Sequence, residues 1–153
     1  MESETLVTKF LTNRVAKLQK EYRIKNKDLN IRNIDEYVTL GVIDRKGYPE
    51  IDDCVLLIMW GNVDCTEEQA LLIVQRELDA GSSITDIFCR LCKAYVRDIY
   101  VSKAHRDKCN DLENLIENRY KLRNEAILNL IKQGLNKNKE DGLGVENEIA
   151  KQE

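Results

Sequence analysis

The stretch "TEEQALLIVQRELDAGSSITDIFCRLCKAYV", residues 66–96, constrains the fold more than any other part of the chain. Thr66 with Glu67, Glu68 and Gln69 reads as a capping box, in which a hydroxyl and a side chain three residues on satisfy the amides that open a helix. Ala70, Leu71, Val74 and Leu78 then recur at helical spacing, and Gly81 supplies a stop. Ser83 and Asp86 repeat the capping pattern and open a second stripe: Ile84, Ile87, Phe88, Leu91, Tyr95 and Ile99. Two capped amphipathic helices in succession point to an all-α protein.

The flanking segments agree. Val7, Phe10, Leu11, Val15, Leu18 and Tyr22 predict an amphipathic helix over most of residues 4–23, which Thr12 could restart as a cap. A short helix is expected near 33–40. A turn follows, in the stretch that holds Gly41, Gly47 and the single proline, Pro49. Pro49 suits the first turn of the next helix, with Glu50, Asp52 and Asp53 at its positive end and "CVLLIMWGN" buried behind them. After a break near Ser102, a last helix carries Leu112, Leu115, Ile116, Leu122, Ile127, Leu130 and Ile131 to Gly134. The expectation is a small single-domain bundle of about five to six helices over 1–134, with a flexible polar tail over 135–153.

Composition sets the class. Of 153 residues, 42% are hydrophobic and 33% charged, as suits one globular domain. The longest apolar run, "VLLIMW" at 55–60, is far short of the ~20 residues of a membrane span, and "MESETLVTKF" lacks a secretory leader's pattern. Five cysteines without a disulfide framework fit a reducing compartment, so a cytoplasmic protein is expected with no membrane partner. The net charge of −3 is unevenly spread. Residues 14–32 carry seven basic side chains against two acids, and 35–86 carry twelve acids against three basic residues. The basic segment offers only Tyr22 for stacking, so a solvated helix face is preferred to nucleic-acid binding. Opposite patches on one molecule leave room for head-to-tail self-association.

One motif competes with the helical reading. Cys89, Cys92, His105 and Cys109 are spaced C-x2-C-x12-H-x3-C, the ligand pattern of a small zinc finger. A tetrahedral zinc needs all four ligand atoms within about 2.3 Å of the metal. A helix running from Ser83 to Val101 would leave Cys92 on the order of 14 Å below its end at 1.5 Å per residue, with His105 near the hairpin tip. The cap and six apolar residues in register favour the helix. The expectation is therefore no metal and no cofactor, with Cys89 and Cys92 as small packed thiols.

Catalytic templates fit worse. His105 is the only histidine, and a Cys–His pair would need Cys109 one turn along the same helix, with no evident orienting carboxylate. The Asp52–Asp53 and Glu67–Glu68 doublets sit where helix N-termini attract acids. No phosphate loop is present. A non-enzymatic protein is expected.

The order of three segments is similar to that of a known family. "FLTNRVAKLQKEY" at 10–22, "LLIMWGNVDCTEEQALLIVQREL" at 56–78 and "DAGSSITDIFCRLCKAYV" at 79–96 resemble tail assembly chaperones from long-tailed phages of Gram-positive bacteria. The matching positions are Leu11, Thr12, Gln19 and Lys20 in the opening helix; Trp60 and Gly61 ending a core helix; Thr66, Glu68 and Ala70; then Gly81, Ser83, Thr85 and Asp86. The lysine-rich 23–32 segment and everything after residue 102 depart from that pattern. The resemblance implies a helical protein that coats the tape-measure protein and recruits tail-tube protein subunits. Partner contacts are then expected around Trp60 and on the helix from Ser83, at Phe88 and Tyr95, against the alternative that Trp60 is core. Two further readings remain: a zinc-stabilised module on nucleic acid using Cys89, Cys92, His105 and Cys109, and a phage or mobile-element accessory protein that inhibits a host protein.

Overall fold

A computed structural model describes the backbone of residues 6–140 and the side chains of residues 6–135. Among these residues the regular structure is entirely helical: α1 Thr12–Lys25, α2 Ile34–Val38, α3 Leu40–Lys46, α4 Ile51–Gly61, α5 Glu67–Asp79, α6 Ile84–Asp98, α7 Lys103–Asn110 and α8 Leu112–Glu140. The chain divides into two units, the first ending at Ile116 and the second beginning at Glu117.

In the first unit α6 is central and packs on α4, α5 and α7. Its stripe of Ile87, Phe88, Leu91 and Tyr95 is wholly buried, as the spacing demands, and Phe10 meets the Tyr95 ring edge-on at 5.0 Å. Both expected capping boxes form. Thr66 Oγ1 accepts from the Gln69 amide at 3.1 Å while the Gln69 side chain accepts from the Thr66 amide at 2.9 Å. Ser83 and Asp86 do the same at 3.0 and 3.2 Å. Gly81 closes the turn between α5 and α6 at φ 102°, a conformation that favours glycine.

The described residues hold eight helices where five to six were expected: α3 occupies the stretch after residue 40 where a turn was expected, and the last expected helix is preceded by the separate α7. Thr39 separates α2 from α3 with φ −114° and ψ −96°, although neither glycine nor proline is there. Its hydroxyl donates to the Asp35 carbonyl at 2.6 Å and, with that proton committed, accepts from His105 Nε2 at 2.8 Å. The break is thus held from α7. Asp111 separates α7 from α8, its carboxylate accepting from the Asn114 side chain at 2.7 Å.

The N-terminal helix also begins later than its apolar spacing suggests, at Thr12 rather than near residue 4. The amides that a longer helix would use are bonded elsewhere. Thr8 N donates to Asn62 Oδ1 at 2.8 Å, Lys9 N to the Gly61 carbonyl at 3.1 Å and Phe10 N to Asp98 Oδ2 at 3.0 Å. Asn62 returns a bond to the Leu6 carbonyl at 2.9 Å. Residues 6–10 therefore form an irregular strap across the end of α4, with Leu6, Val7 and Phe10 buried beneath it. Residues 4 and 5 of the expected helix lie outside the described residues.

At its other end, α8 passes through Gly134 without stopping and runs to Glu140. The expected tail therefore begins inside a helix, and its remainder, 141–153, lies outside the described residues.

Candidate functional site

The four residues with zinc-ligand spacing sit on two packed helices. Cys89 and Cys92 are on α6, and His105 and Cys109 are on α7. The separation expected for Cys92 is not observed, because α6 ends at Asp98 and α7 folds back against it. Cys92 and Cys109 lie close enough across the pair to shift each other's titration in opposite directions. The four do not converge, however: among the described residues no three His, Cys, Asp or Glu side chains form a group that could hold a metal ion.

Electrostatics divides the thiols. Burial pushes Cys54 and Cys89 each up to about 12. Burial also raises Cys92, and Cys109 adds to the effect. Cys109 moves the other way, held below the usual thiol range chiefly by Cys92, with His105 contributing. This is the Cys–His pair that the spacing allowed, with Thr39 rather than a carboxylate steadying the imidazole. Its chemistry is limited by access. A cavity of about 410 Å³ between α2, α3 and α7 reaches His105, but Cys109 is fully buried and does not line it. A nucleophile that no substrate atom can approach does not make an active site. The arrangement instead satisfies polar atoms where α6, α7 and the α2–α3 break meet.

The expected partner contacts are also interior. Trp60 is 4% exposed, and Phe88 and Tyr95 are wholly buried, which corrects their assignment to a docking surface. Trp60 packs edge-on against Tyr22 at 6.1 Å, and Arg14 donates to its carbonyl. Tyr95 projects its hydroxyl into a polar pair with Asp35, where Gln19 Nε2 donates to the Asp35 carboxylate at 2.7 Å and to the tyrosine oxygen at 3.0 Å. A large aromatic at a helix end fits a core and an interface equally well in sequence; burial separates the two.

The surface that could bind a partner lies on α8. Tyr120, Leu122, Ile127, Leu128, Leu130, Ile131 and Leu135 are each at least 44% exposed. Tyr120, Ile127, Leu128, Ile131 and Leu135 follow a helical period and form one stripe, while Leu122 and Leu130 lie off it. The sequence marked several of these residues as apolar but counted them as bundle core. Their spread around the helix, wider than a single packed face, was the available sign of a different role.

Comparison of the chain with models of known protein families, with curated proteins and with solved structures found no match in any of the three.

Proposed function

We propose that this chain is a non-enzymatic, protein-binding assembly factor of the tail-assembly-chaperone kind, and that it engages a long helical partner, the tape-measure protein, through α8. The observation that carries this reading is the run of exposed apolar side chains from Tyr120 to Leu135. Seven large apolar groups on one helix exceed the singly scattered hydrophobic residues of an ordinary surface. Helix-on-helix docking buries such a stripe through anchors at i, i+4, i+7 and i+8, a pattern that Tyr120, Ile127 and Leu128 fit with Asn124 in the remaining place, and Ile131 continues it at i+11. Lys121, Arg123 and Lys132 interrupt the apolar surface and keep the helix charged. No helix of the described residues is long and apolar enough to cross a membrane.

The resemblance of "LLIMWGNVDCTEEQALLIVQREL" and its neighbours to tail assembly chaperones supplies the partner's identity in this reading, along with recruitment of tail-tube subunits. With Trp60, Phe88 and Tyr95 in the core, the contacts move from the front of the chain to α8. Head-to-tail self-association along the partner remains part of the proposal, supported by the uneven charge.

The test is co-expression with the product of the adjacent long coiled-coil gene, followed by affinity capture. The partner should be insoluble alone, soluble with this chain, and insoluble again with Ile127→Asp and Ile131→Asp, two exposed positions where folding of the first unit is not at stake. A partner that stays insoluble with the intact chain, with no tail-tube subunit captured, sinks the reading.

A further inference from the structure

The α6–α7 pair carries a second feature, independent of the reading of α8. On the solvent side the two helices enclose a cleft of about 510 Å³, within the ~300–1,000 Å³ range of small-molecule sites. Its walls are Arg90, Lys93 and Arg97 from α6 and Arg106 from α7, with Ala94 and Val96 between them. Among the described residues no carboxylate lines it. In a chain of net charge −3, four cations around one concavity are not the background composition.

The spacing explains how the helices produce this surface. Residues 90, 93, 94 and 97 fall at i, i+3, i+4 and i+7, so three cations and one alanine share a stripe. Lys93 and Arg97 are a like-charge i, i+4 pair, which weakens an isolated helix rather than supporting it. Two of the four cations are neutralised from outside the cleft. Arg90 pairs with Glu77 at 2.6 Å, and Arg97 grips Asp98 through two bonds of 2.8 and 2.9 Å. Lys93 and Arg106 form no ion pair or hydrogen bond among the described residues, and both are exposed. The site therefore holds two positive charges, one from each helix, with no ion-pair partner among the described residues.

We infer that the cleft between α6 and α7 binds a small phosphate monoester, its phosphoryl group between Lys93 and Arg106 and its organic part against Ala94 and Val96. The charge count selects this class. A phosphate monoester carries about −1.5 to −2 at neutral pH and balances both free cations, whereas one carboxylate balances half of them. The guanidinium of Arg106 presents paired N–H donors that match two phosphoryl oxygens, Lys93 adds a point charge, and the Asn110 amide at the edge of the cleft offers a neutral donor. The apolar floor and the volume leave space for more than a bare anion.

Isothermal titration of the full chain at low ionic strength tests this, with inorganic phosphate, phenyl phosphate, acetate, a glutamate-rich peptide and a single-stranded oligonucleotide as probes. Phenyl phosphate should saturate one site per chain, more tightly than inorganic phosphate and far more tightly than acetate. Affinity should rise as pH passes about 6, where the monoester takes its second charge. Lys93→Gln and Arg106→Gln should each weaken binding roughly tenfold or more, as loss of a charge-assisted bond does. Lys103→Gln, on α7 but outside the cleft and paired with Asp107, should leave it unchanged. Circular dichroism on each variant checks that the helices persist. The inference is overturned if phenyl phosphate shows no saturable binding, if Lys103→Gln weakens it as much as Lys93→Gln, or if the peptide or the oligonucleotide binds this cleft more tightly than phenyl phosphate.

Discussion

Replacing Gly61 with alanine tests the contact that starts the fold. Gly61 ends α4, and the N-terminal strap crosses it so closely that a methyl group placed there would lie 2.5 Å from Val7 Cγ1, 2.6 Å from Val7 Cβ and 3.1 Å from Phe10 Cζ. Non-bonded contacts of a Cβ atom below 3.0 Å essentially do not occur, so the strap must move. It is not free to do so. Lys9 N is bonded to the Gly61 carbonyl at 3.1 Å, Asn62 ties Thr8 and Leu6, and Phe10 is packed against Tyr95. Alanine raises helix propensity by up to about 1 kcal/mol, but Gly61 is the last residue of its helix and most of that gain is lost. Overpacking of a tight core costs about 1–3 kcal/mol, so the net change is destabilising, with a fall in thermal midpoint of roughly 3–12 °C. Urea and thermal unfolding followed by circular dichroism measure it. Val7→Gly removes both of the closest atoms, so the double variant should cost less than the two single changes combined, a coupling of about 0.5–3 kcal/mol. A Gly61→Ala protein as stable as the parent, or one whose effect simply adds to that of Val7→Gly, would refute the account of the strap.

Alkaline pH should destabilise the first unit through its buried thiols. Cys54 and Cys89 titrate at about 12 in the folded chain against an ordinary 9.0, so between these values the folded state holds more protons than the unfolded one. Their contribution is fully present below about pH 9 and is lost as pH rises toward 12; urea midpoints across this window should fall, and Cys54→Ala with Cys89→Ala should flatten the slope. Ending the chain after Ile116 should leave the first unit folded, because its core closes with Leu112 and Ile116. Its thermal midpoint should stay within roughly 4 °C of the parent's, about 1 kcal/mol for a domain of this size, and a larger drop shows that residues beyond Ile116 stabilise it.

The elements that could be read from the sequence are those in which local chemistry and burial agree. α5 and α6 announce themselves because capping, periodicity and a glycine stop coincide, and tertiary packing uses the same faces. The strap could not be read in this way. Leu6 and Val7 pack on α4 through an irregular backbone with no period of its own, while Val7, Phe10, Leu11 and Val15 fall by chance at helical spacings. The break at Thr39 was equally hidden, since the residue that holds it is His105, 66 positions away. The exposed stripe of α8 illustrates the opposite limit: periodicity marks an apolar face but does not say whether the same chain covers it.

The zinc-finger spacing has a related origin. Cys89 and Cys92 are three residues apart and His105 and Cys109 four apart, the two separations that place side chains on one face of a helix. On α6 that face is the core face, where a thiol packs as a small apolar group. On α7, buried His105 and Cys109 are its contribution to the same interface. Twelve residues lie between the pairs, enough to finish α6 at Asp98, turn through Ile99 to Ser102 and start α7 in the reverse direction. Any antiparallel helical hairpin with small polarisable residues at facing core positions and a short connection reproduces C-x2-C-x12-H-x3-C without a metal. A finger also requires the four side chains to point at one centre. A hairpin interface distributes them along its length instead: Cys109 lies against both Cys92 and His105, His105 Nε2 is bonded to the Thr39 hydroxyl, and among the described residues no three of these groups gather around one centre. Substituting Thr39 by valine separates the two arrangements in solution. In the hairpin it removes the acceptor for His105 Nε2 and costs about 1–3 kcal/mol as that buried donor goes unpaired, whereas Thr39 has no part in a finger, so an unchanged unfolding midpoint in Thr39→Val would count against the hairpin.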